Sequence, residues 1–235
     1  MSSKGNLIII SAPSGSGKSS LASGLFRNTE GVVFSVSHTT RRPRGKEKNG
    51  EDYFFIEEDR FRKMADQGDF LEYAHVYGNY YGTSRSFVQE QLAAGNDVLL
   101  DIDVQGALKV KEQVPEALMV FVLPPSFGEL EKRLINRGMD DPEVIAKRLK
   151  IASREIKYYK DYDYVIINSK LEDAIEELRK IVLSARRPGA ALVGGNWAAA
   201  ETVVSTFPND PEGGDDGAFS SRTEEINDSQ DTRGV

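Results

Sequence analysis

The sequence predicts an α/β fold in which helices cover both faces of a parallel sheet. Short apolar runs rich in β-branched residues alternate with longer segments of helical periodicity, which is the pattern of a doubly wound domain. The clearest runs are 7–10, 98–103, 118–123 and 164–167. Between the first two of these runs, residues 37–94 are richer in aromatic side chains, which predicts a small mixed α+β domain inserted into the core.

A glycine- and serine-rich loop follows the first run and precedes a helical segment. It reads Ser-Ala-Pro-Ser-Gly-Ser-Gly-Lys-Ser-Ser over residues 11–20, and it matches G-x-x-x-x-G-K-[ST] except for Ala12 at the first position. In this setting backbone N–H groups and the helix N-terminus face a phosphate. We therefore expect Lys18 at the β and γ phosphates of a nucleotide and the Ser19 hydroxyl at Mg²⁺.

The predicted insert follows a strand at 32–37 and contains further strands near 53–56 and 70–77. Asp59 is the expected N-cap of a helix that ends near Gln67, and Ser84 is the expected N-cap of a helix that ends at Ala94. The segment 78–82, which contains two glycines and an asparagine, predicts a turn.

Two carboxylates, Asp101 and Asp103, end the apolar run 98–103. An acidic residue at a buried strand end requires a partner, and in phosphate-loop enzymes that partner is usually Mg²⁺. Residues two apart on a strand share a face, so both side chains could line one cleft. Asp103 could also cap the helix predicted at 104–114, and the sequence leaves open which of the two serves the metal.

Two charged helical segments, 126–137 and 142–159, lie between a Pro-Pro pair and the last strand. They are a candidate lid that closes over a site to exclude water. Arg133 and Arg137 are four residues apart and share a helix face, and Arg148 lies in the second segment. Phosphoryl transfer requires such positive charge around the transferred oxygens. A last helix is predicted at 171–185.

Composition excludes several classes of protein. The 235 residues include no cysteine and two histidines, so a disulfide, a thiol nucleophile and a Cys- or His-rich metal site are excluded. No run approaches the ~18 apolar residues of a membrane span, and no secretory signal pattern is present, which favours a cytoplasmic protein. A net charge of −7 argues against general nucleic-acid binding.

All of the excess negative charge lies in the C-terminal segment 188–235, which has nine acidic and two basic residues, whereas residues 1–187 are neutral overall. This segment lacks periodicity and predicts a flexible acidic tail, with a possible helical turn at 198–204. The sequence leaves open whether the tail is a solvated extension, an oligomer contact or an electrostatic brake on the basic cleft.

Five motifs make the sequence resemble the guanylate kinase family. They are the loop at 11–20, Val-Ser-His-Thr-Thr-Arg at 36–41, Asn-Gly-Glu-Asp-Tyr at 49–53, Gly-Asn-Tyr-Tyr-Gly-Thr at 78–83 and Asp-Ile-Asp-Val-Gln-Gly at 101–106. The resemblance spans about residues 6–186. It implies a P-loop NTPase-type sheet with a GMP-binding insert and a helical lid, and transfer of the γ-phosphoryl of MgATP to GMP and dGMP.

The resemblance also implies roles for individual residues. On the ATP side they are Ser14, Gly15, Ser16, Gly17, Lys18, Ser19, Ser20, Arg133 and Asn168. On the GMP side, Arg41, Arg44, Tyr53 and Tyr81 would hold the phosphate, Ser37, Glu72 and Asp103 would read guanine, and Glu47, Gly82 and Thr83 would border the site. Lys18, Arg41, Arg137 and Arg148 are implied to be catalytic, and Ser19 and Asp101 to hold Mg²⁺, partly through water.

The implied domain comprises residues 1–187, with a core of 5–36, 95–125 and 160–187, the insert 37–94 and the lid 126–159.

The alternative function is that of a non-catalytic interaction module of the same fold, because fold alone does not exclude one. Such modules often lack the loop lysine or the lid arginines, which are present here. A third possibility is a related kinase with another acceptor. The expected partners are ATP and GMP or dGMP, with no nucleic acid and no membrane, and the oligomeric state is open.

Overall fold

The computed structural model describes residues 4–76, 78–136, 141–187 and 196–208. The strands are β1 (Leu7–Ser11), β2 (Val32–Phe34), β3 (His38–Thr39), β4 (Phe54–Phe55), β5 (Phe70–Val76), β6 (Asn79–Ser84), β7 (Asp97–Asp101), β8 (Leu118–Leu123) and β9 (Tyr164–Ile167). The helices are α1 (Lys18–Asn28), α2 (Glu58–Asp66), α3 (Arg85–Ala93), α4 (Val104–Gln113), α5 (Phe127–Asn136), α6 (Pro142–Glu155), α7 (Leu171–Ala185) and α8 (Trp197–Val204), and a 3₁₀ helix spans Ile156–Asp161.

The core is a five-stranded parallel sheet in the order β2-β7-β1-β8-β9, which confirms the predicted fold class. Every residue of β1 and β8 is buried, because helices cover both faces of the sheet. The alternating side chains of these strands therefore feed two apolar clusters, one on each face. No helix within the described ranges has the length and apolar character that a bilayer crossing needs.

The insert forms a separate mixed sheet in the order β4-β3-β6-β5. Its core is aromatic: the rings of Phe61 and Phe70 stack with centroids 4.5 Å apart, and Gly82 lies against both rings. A Cβ at Gly82 would come within 2.9 Å of the Phe70 ring, so this strand position has no room for a side chain. The aromatic enrichment of residues 37–94 thus corresponds to a small core of its own.

Two local predictions in the insert are wrong and one is confirmed. The segment predicted as a turn at 78–82 is strand β6 from Asn79 onward, because Asn79 already pairs with Val76. Gly78, with φ at 76°, lies in the reversal that precedes the strand. The N-cap of α2 is Glu57, two residues before the predicted Asp59, which lies in the first turn of the helix. Ser84 caps α3 as predicted, since its hydroxyl accepts a hydrogen bond from the backbone N–H of Phe87.

The candidate lid consists of α5, α6 and the 3₁₀ helix. The single helix predicted at 142–159 is divided, because α6 ends at Glu155 and tighter 3₁₀ geometry continues to Asp161. Leu130 and Leu134 of α5 are fully buried and join the same apolar cluster as Leu149 of α6. The lid helices are therefore packed on the core rather than separate from it.

Part of the predicted flexible tail packs on the core as helix α8. Ala200, Val203 and Phe207 are buried in the cluster that also contains the lid leucines, and the Phe207 ring contacts Phe127 edge to face at 5.3 Å. The backbone N–H of Phe127 also donates to the Thr206 hydroxyl at 3.0 Å. This short apolar stretch within an acidic segment gains stability by packing on β9, the last strand of the sheet. Residues 188–195 and 209–235 of the predicted tail lie outside the described residues.

Phe207→Ala should lower the free energy of unfolding by about 3 kcal/mol, because it leaves a cavity against Phe127. Urea denaturation of the full chain measures this change. Phe26, whose side chain is 52% exposed on α1, provides a matched control, and Phe26→Ala should change the free energy by less than about 1 kcal/mol. Equal effects of the two substitutions would contradict the packing of α8.

Candidate active site

The site lies at the carboxyl ends of the parallel strands, where the loop after β1 meets the end of β7. Because β1 and β7 are neighbours with Ile10 paired to Asp101, the loop that follows Ser11 passes directly over Asp101. This edge of an open α/β sheet is where ligands bind in such folds. The strand order therefore brings together the sequence motif at 11–20 and the Asp101 carboxylate at the end of β7.

Two glycines give the loop its shape. Gly15 and Gly17 have φ angles of 97° and 91°, which L side chains rarely adopt, and Gly17 is the N-cap of α1. A Cβ at Gly17 would also collide with the amide nitrogen of Asn168. That amide donates to the Ser16 carbonyl at 2.8 Å, so the end of β9 fixes the loop from the other side. The arrangement directs the first turn of α1 towards the cleft.

Lys18 and Ser19 both contact Asp101. The Lys18 ammonium lies 2.6 Å from Asp101 Oδ1 and donates to the Ile102 carbonyl at 2.9 Å, while the Ser19 hydroxyl donates to Asp101 Oδ2 at 3.2 Å. Burial disfavours the ammonium, but the Asp101 carboxylate outweighs that effect and the pKa of Lys18 is raised. The loop lysine is thus charged and held at the base of the cleft.

The hydroxyl and carboxylate predicted to hold Mg²⁺ are therefore adjacent. Within the described ranges, no group of three or more His, Asp or Glu side chains is arranged to hold a metal ion. Mg²⁺ commonly uses one or two protein ligands and completes its shell with water and substrate phosphates. Ser19 and Asp101 fit this second kind of site.

Arg133 and Asn168, predicted on the ATP side, meet beside the loop. The Arg133 guanidinium donates to the Asn168 carbonyl at 3.0 Å and to Glu129 at 3.1 Å. Both residues line a cavity of about 380 Å³ that opens next to Gly15 and Gly17. Sequence reasoning missed three further residues of this cavity, which carry no distinguishing motif: Asn136, Ser169 and Leu171.

A second cavity, of about 330 Å³, extends from the same loop towards the insert. Five of the residues predicted at the GMP site line it, namely Ser37, Tyr53, Glu72, Tyr81 and Asp103. The cavity is also lined by the loop residues from Ala12 to Ser20 except Ser16, which is fully buried. One cavity therefore joins the phosphate loop to the predicted acceptor site.

Glu47 fixes the Arg41 guanidinium in place. Two parallel hydrogen bonds of 2.9 Å join them, and the backbone N–H of Arg44 donates to the same carboxylate at 2.7 Å. The hydrogen bond to Glu47 raises the pKa of Arg41, and the guanidinium lies 5.2 Å from the centre of the Tyr53 ring. Glu47 thus acts through Arg41, and the Arg44 side chain is exposed beside it.

Glu72 is a buried carboxylate with one hydrogen-bond partner among the described residues. Its Oε1 accepts a hydrogen bond of 2.6 Å from the Thr83 hydroxyl, and a Cβ at Gly106 would lie 2.7 Å from its Oε2. Burial, together with the charge of Asp103, raises the pKa of Glu72 to about 7 although the hydrogen bond from Thr83 opposes the shift. Asp103 is the N-cap of α4, since its Oδ1 accepts from the Gly106 N–H at 2.8 Å.

The remaining predicted residues are placed as follows. Gly82 lies against the phenylalanine rings of the insert, and Thr83 contacts Glu72, which lines the cavity. Arg148 is half-buried on α6. Arg137, predicted to be catalytic, lies outside the described residues.

Sequence reasoning missed Glu155. It is the last residue of α6 and lines the second cavity, seven positions after Arg148 and so on the same helix face. Burial and the charge of Asp103 raise its pKa to about 8. An acidic residue in a charged helix is typical of a solvated surface, and the two-turn spacing from Arg148 was the only signal in the sequence.

A phosphate loop anchored on a strand-end aspartate and an insert that shares its cavity are the features of a P-loop nucleotide kinase. The sequence profile described as guanylate kinase matches residues 4–185. The chain belongs to the guanylate kinase family.

Individual relatives agree over most of the chain. It is 52% identical over 185 residues to the guanylate kinase of Koribacter versatilis, covering 77% of this chain and 79% of that protein. It is 53% identical over 186 residues to that of Aliivibrio fischeri, covering 78% and 90%. The crystal structure of guanylate kinase from Anaplasma phagocytophilum superposes with a TM-score of 0.68 at 34% identity, over 81% of this chain and 91% of that one.

Gly17→Ala should raise the Kd for ATP about tenfold or more. The new Cβ would be strained at positive φ and would displace Asn168, and the strain alone is about 1 kcal/mol or more. Calorimetric titration with ATP measures the change. Gly128→Ala is the control, because a Cβ at Gly128 meets nothing within 4 Å, and its Kd should be unchanged. Unaltered binding by the Gly17 variant would contradict the loop geometry.

Glu72→Gln should stabilise the folded chain at alkaline pH. A carboxyl whose folded pKa is raised from 4.5 to about 7 binds its proton more tightly when folded, so it increasingly opposes folding as pH rises through that interval. The amide keeps an oxygen for Thr83 and has no charge to bury. Urea denaturation at about pH 8 should show a gain of up to ~3 kcal/mol, which shrinks towards zero near pH 4. A gain that does not vary with pH would contradict this origin.

Proposed function

We propose that this chain transfers the γ-phosphoryl group of MgATP to GMP and dGMP, with ATP on the phosphate loop and the acceptor in the insert. Transfer from ATP to GMP is the activity of the guanylate kinase family to which the chain belongs. The observation that carries the site assignment is the single cavity lined by Lys18, Tyr81 and Glu72. Mg²⁺, dGMP and the roles of individual residues are the proposed part.

On the donor side, the N–H groups around Gly15 and Gly17 face the ATP phosphates. The Lys18 ammonium, which contacts Asp101, moves to the β and γ phosphates when ATP binds, because their negative charge attracts it. Ser19 and Asp101 hold Mg²⁺, which when bound neutralises charge on the phosphate oxygens. The cavity beside Arg133 and Asn168 takes the nucleoside end of ATP.

On the acceptor side, Arg41 presents a fixed guanidinium to the GMP phosphate, and the phenols of Tyr53 and Tyr81 stand nearby. Arg44, exposed at the rim, adds charge. Charge-assisted bonds of this kind suit a phosphate dianion. Glu47 keeps Arg41 oriented, so it positions the guanidinium without touching the substrate.

At the other end of this cavity, Glu72, Ser37 and Asp103 read guanine. A carboxylate accepts hydrogen bonds from guanine N1–H and the 2-amino group together. Adenine offers neither donor, so binding it would leave the buried Glu72 carboxylate without these partners. The Thr83 hydroxyl holds the carboxylate in place, and Gly106 leaves room beside it.

The reaction needs no general base, because the attacking group is already an anionic phosphate oxygen of GMP. That oxygen forms a bond to the γ-phosphorus while the bond to the β,γ-bridging oxygen breaks and ADP leaves. Arg137 and Arg148 of the lid stabilise charge on the transferred group, and the lid excludes water that would compete as acceptor. Catalysis is therefore positioning and electrostatic stabilisation.

We divide the chain as the sequence predicts: a core of 5–36, 95–125 and 160–187, an insert of 37–94, a lid of 126–159 and a C-terminal extension from 188. The comparisons lend no support to the non-catalytic alternative. The cytoplasmic location and the expectations about nucleic acid and membranes stay predictions.

A coupled assay of ADP production with MgATP tests the assignment, with GMP, AMP, UMP and CMP as acceptors. We expect turnover with GMP alone. Lys18→Ala should lower kcat about a hundredfold or more, and Glu72→Ala should lower kcat/KM for GMP to a similar extent.

Lys4→Ala is the control for the lysine variant, since the Lys4 side chain is 66% exposed and Lys4 precedes β1, whereas the loop follows that strand. This variant should retain full activity. Turnover with another acceptor would overturn the guanine site but keep the kinase. A folded protein that binds GMP and turns over no acceptor would favour the interaction module.

A further inference from the structure

We propose that Glu155 binds a ribose hydroxyl of GMP and so joins the lid helix α6 to the bound acceptor. This proposal rests on the function proposed above, because it names a specificity contact within the same site. Glu155 lies at the end of α6 and contributes to the wall of the cavity that also contains the guanine-reading residues.

Glu155 is the one carboxylate of this cavity wall whose described surroundings supply no hydrogen bond or ion pair. The others are held: Asp101 by the loop lysine and serine, Glu72 by a threonine hydroxyl, and Asp103 by the first turn of α4. A half-buried carboxyl facing a cavity without a protein partner is expected to have a ligand group or water as its partner.

The position of Glu155 along the cavity indicates which part of GMP it meets. Glu155 lines the cavity together with Lys18 of the phosphate loop and with Asp103 and Glu72, which are proposed to read guanine. It therefore lies on the wall shared by the phosphate end and the guanine end of the proposed acceptor site. In GMP the ribose joins the base to the phosphate, so the sugar is the group expected at that place.

The chemistry of GMP gives the same answer. The phosphate repels a carboxylate, and the hydrogen-bond donors of guanine face Glu72 and Asp103. The donors that remain are the 2′ and 3′ hydroxyls of the ribose. A hydroxyl both donates and accepts, so it can pair with Glu155 in either protonation state. The raised pKa of this carboxyl, caused first by burial, is consistent with a group whose water has been removed and replaced by few protein contacts.

A contact at this place also has a consequence for the lid. Arg148 lies two turns before Glu155 on the same face of α6. A ribose held by Glu155 would fix the end of the helix that carries this arginine, so acceptor binding would favour the position in which Arg148 faces the transferred phosphoryl group. Glu155 is therefore a specificity and positioning residue.

The test is calorimetric titration of the full chain with GMP, 2′-deoxy-GMP and 3′-deoxy-GMP. In the unsubstituted protein, the analogue that lacks the contacted hydroxyl should bind about tenfold more weakly than GMP. In Glu155→Ala, GMP binding should weaken by about the same factor, and that analogue should bind as it does to the unsubstituted protein. The other analogue should lose affinity in parallel with GMP.

Two variants complete the test. Glu155→Gln retains a hydrogen-bonding group of the same length and should restore most of the preference. Glu112→Ala, an exposed glutamate on α4, should leave all three affinities unchanged. Comparison of three ligands within one variant protein keeps the result independent of small losses of stability, which a thermal melt measures separately.

Equal weakening of all three nucleotides in Glu155→Ala would overturn the ribose contact and assign the residue to the lid or the metal instead. Unchanged binding of all three would overturn it as well. Failure of the proposed function is separate, because it shows as no phosphoryl transfer to GMP by the unsubstituted chain, whereas these titrations need no turnover.

Discussion

The ion pair between Lys18 and Asp101 depends on one feature of the fold, the adjacency of β1 and β7. The loop lysine follows the first of these strands and the aspartate ends the second, so parallel pairing brings them to the same sheet edge. The same edge receives Asn168 from the end of β9, which holds the loop at Ser16. The remaining site is built around this fixed point, with the insert on one side and the lid on the other.

The cavity between the phosphate loop and the insert is lined by carboxylates that are partly desolvated. Burial raises the pKa of both Glu72 and Glu155 because water is scarce around them, and Asp103 adds like charge. These carboxylates oppose folding at neutral pH, and ligand donors would remove that opposition. A site that is unfavourable when empty and satisfied when filled discriminates strongly against ligands that lack the matching donors.

The sequence predicted most of the elements because their signals are local. Ser84 and Asp103 act as N-caps as expected, since capping depends on a side chain and a backbone N–H within one turn. The misplaced cap at Asp59 and the missed strand β6 have a different cause. Asn79 is in a strand because it pairs with Val76, and in the insert this pairing outweighs the turn composition of the segment.

The sequence by itself determined the chemistry of the protein: the phosphate loop, the carboxylates after the second core strand and the motifs that place it among guanylate kinases. Each of these features is a short run of neighbouring residues, so it can be identified without knowledge of the fold. Only the tertiary structure decided that Glu155 lines the cavity between the phosphate loop and the insert, and that α8 packs on β9 with Phe207 against Phe127. In both cases the contacts join residues that are far apart in the chain. The burial of Glu155 and of α8 therefore depends on how distant segments pack together, which the local sequence pattern does not specify.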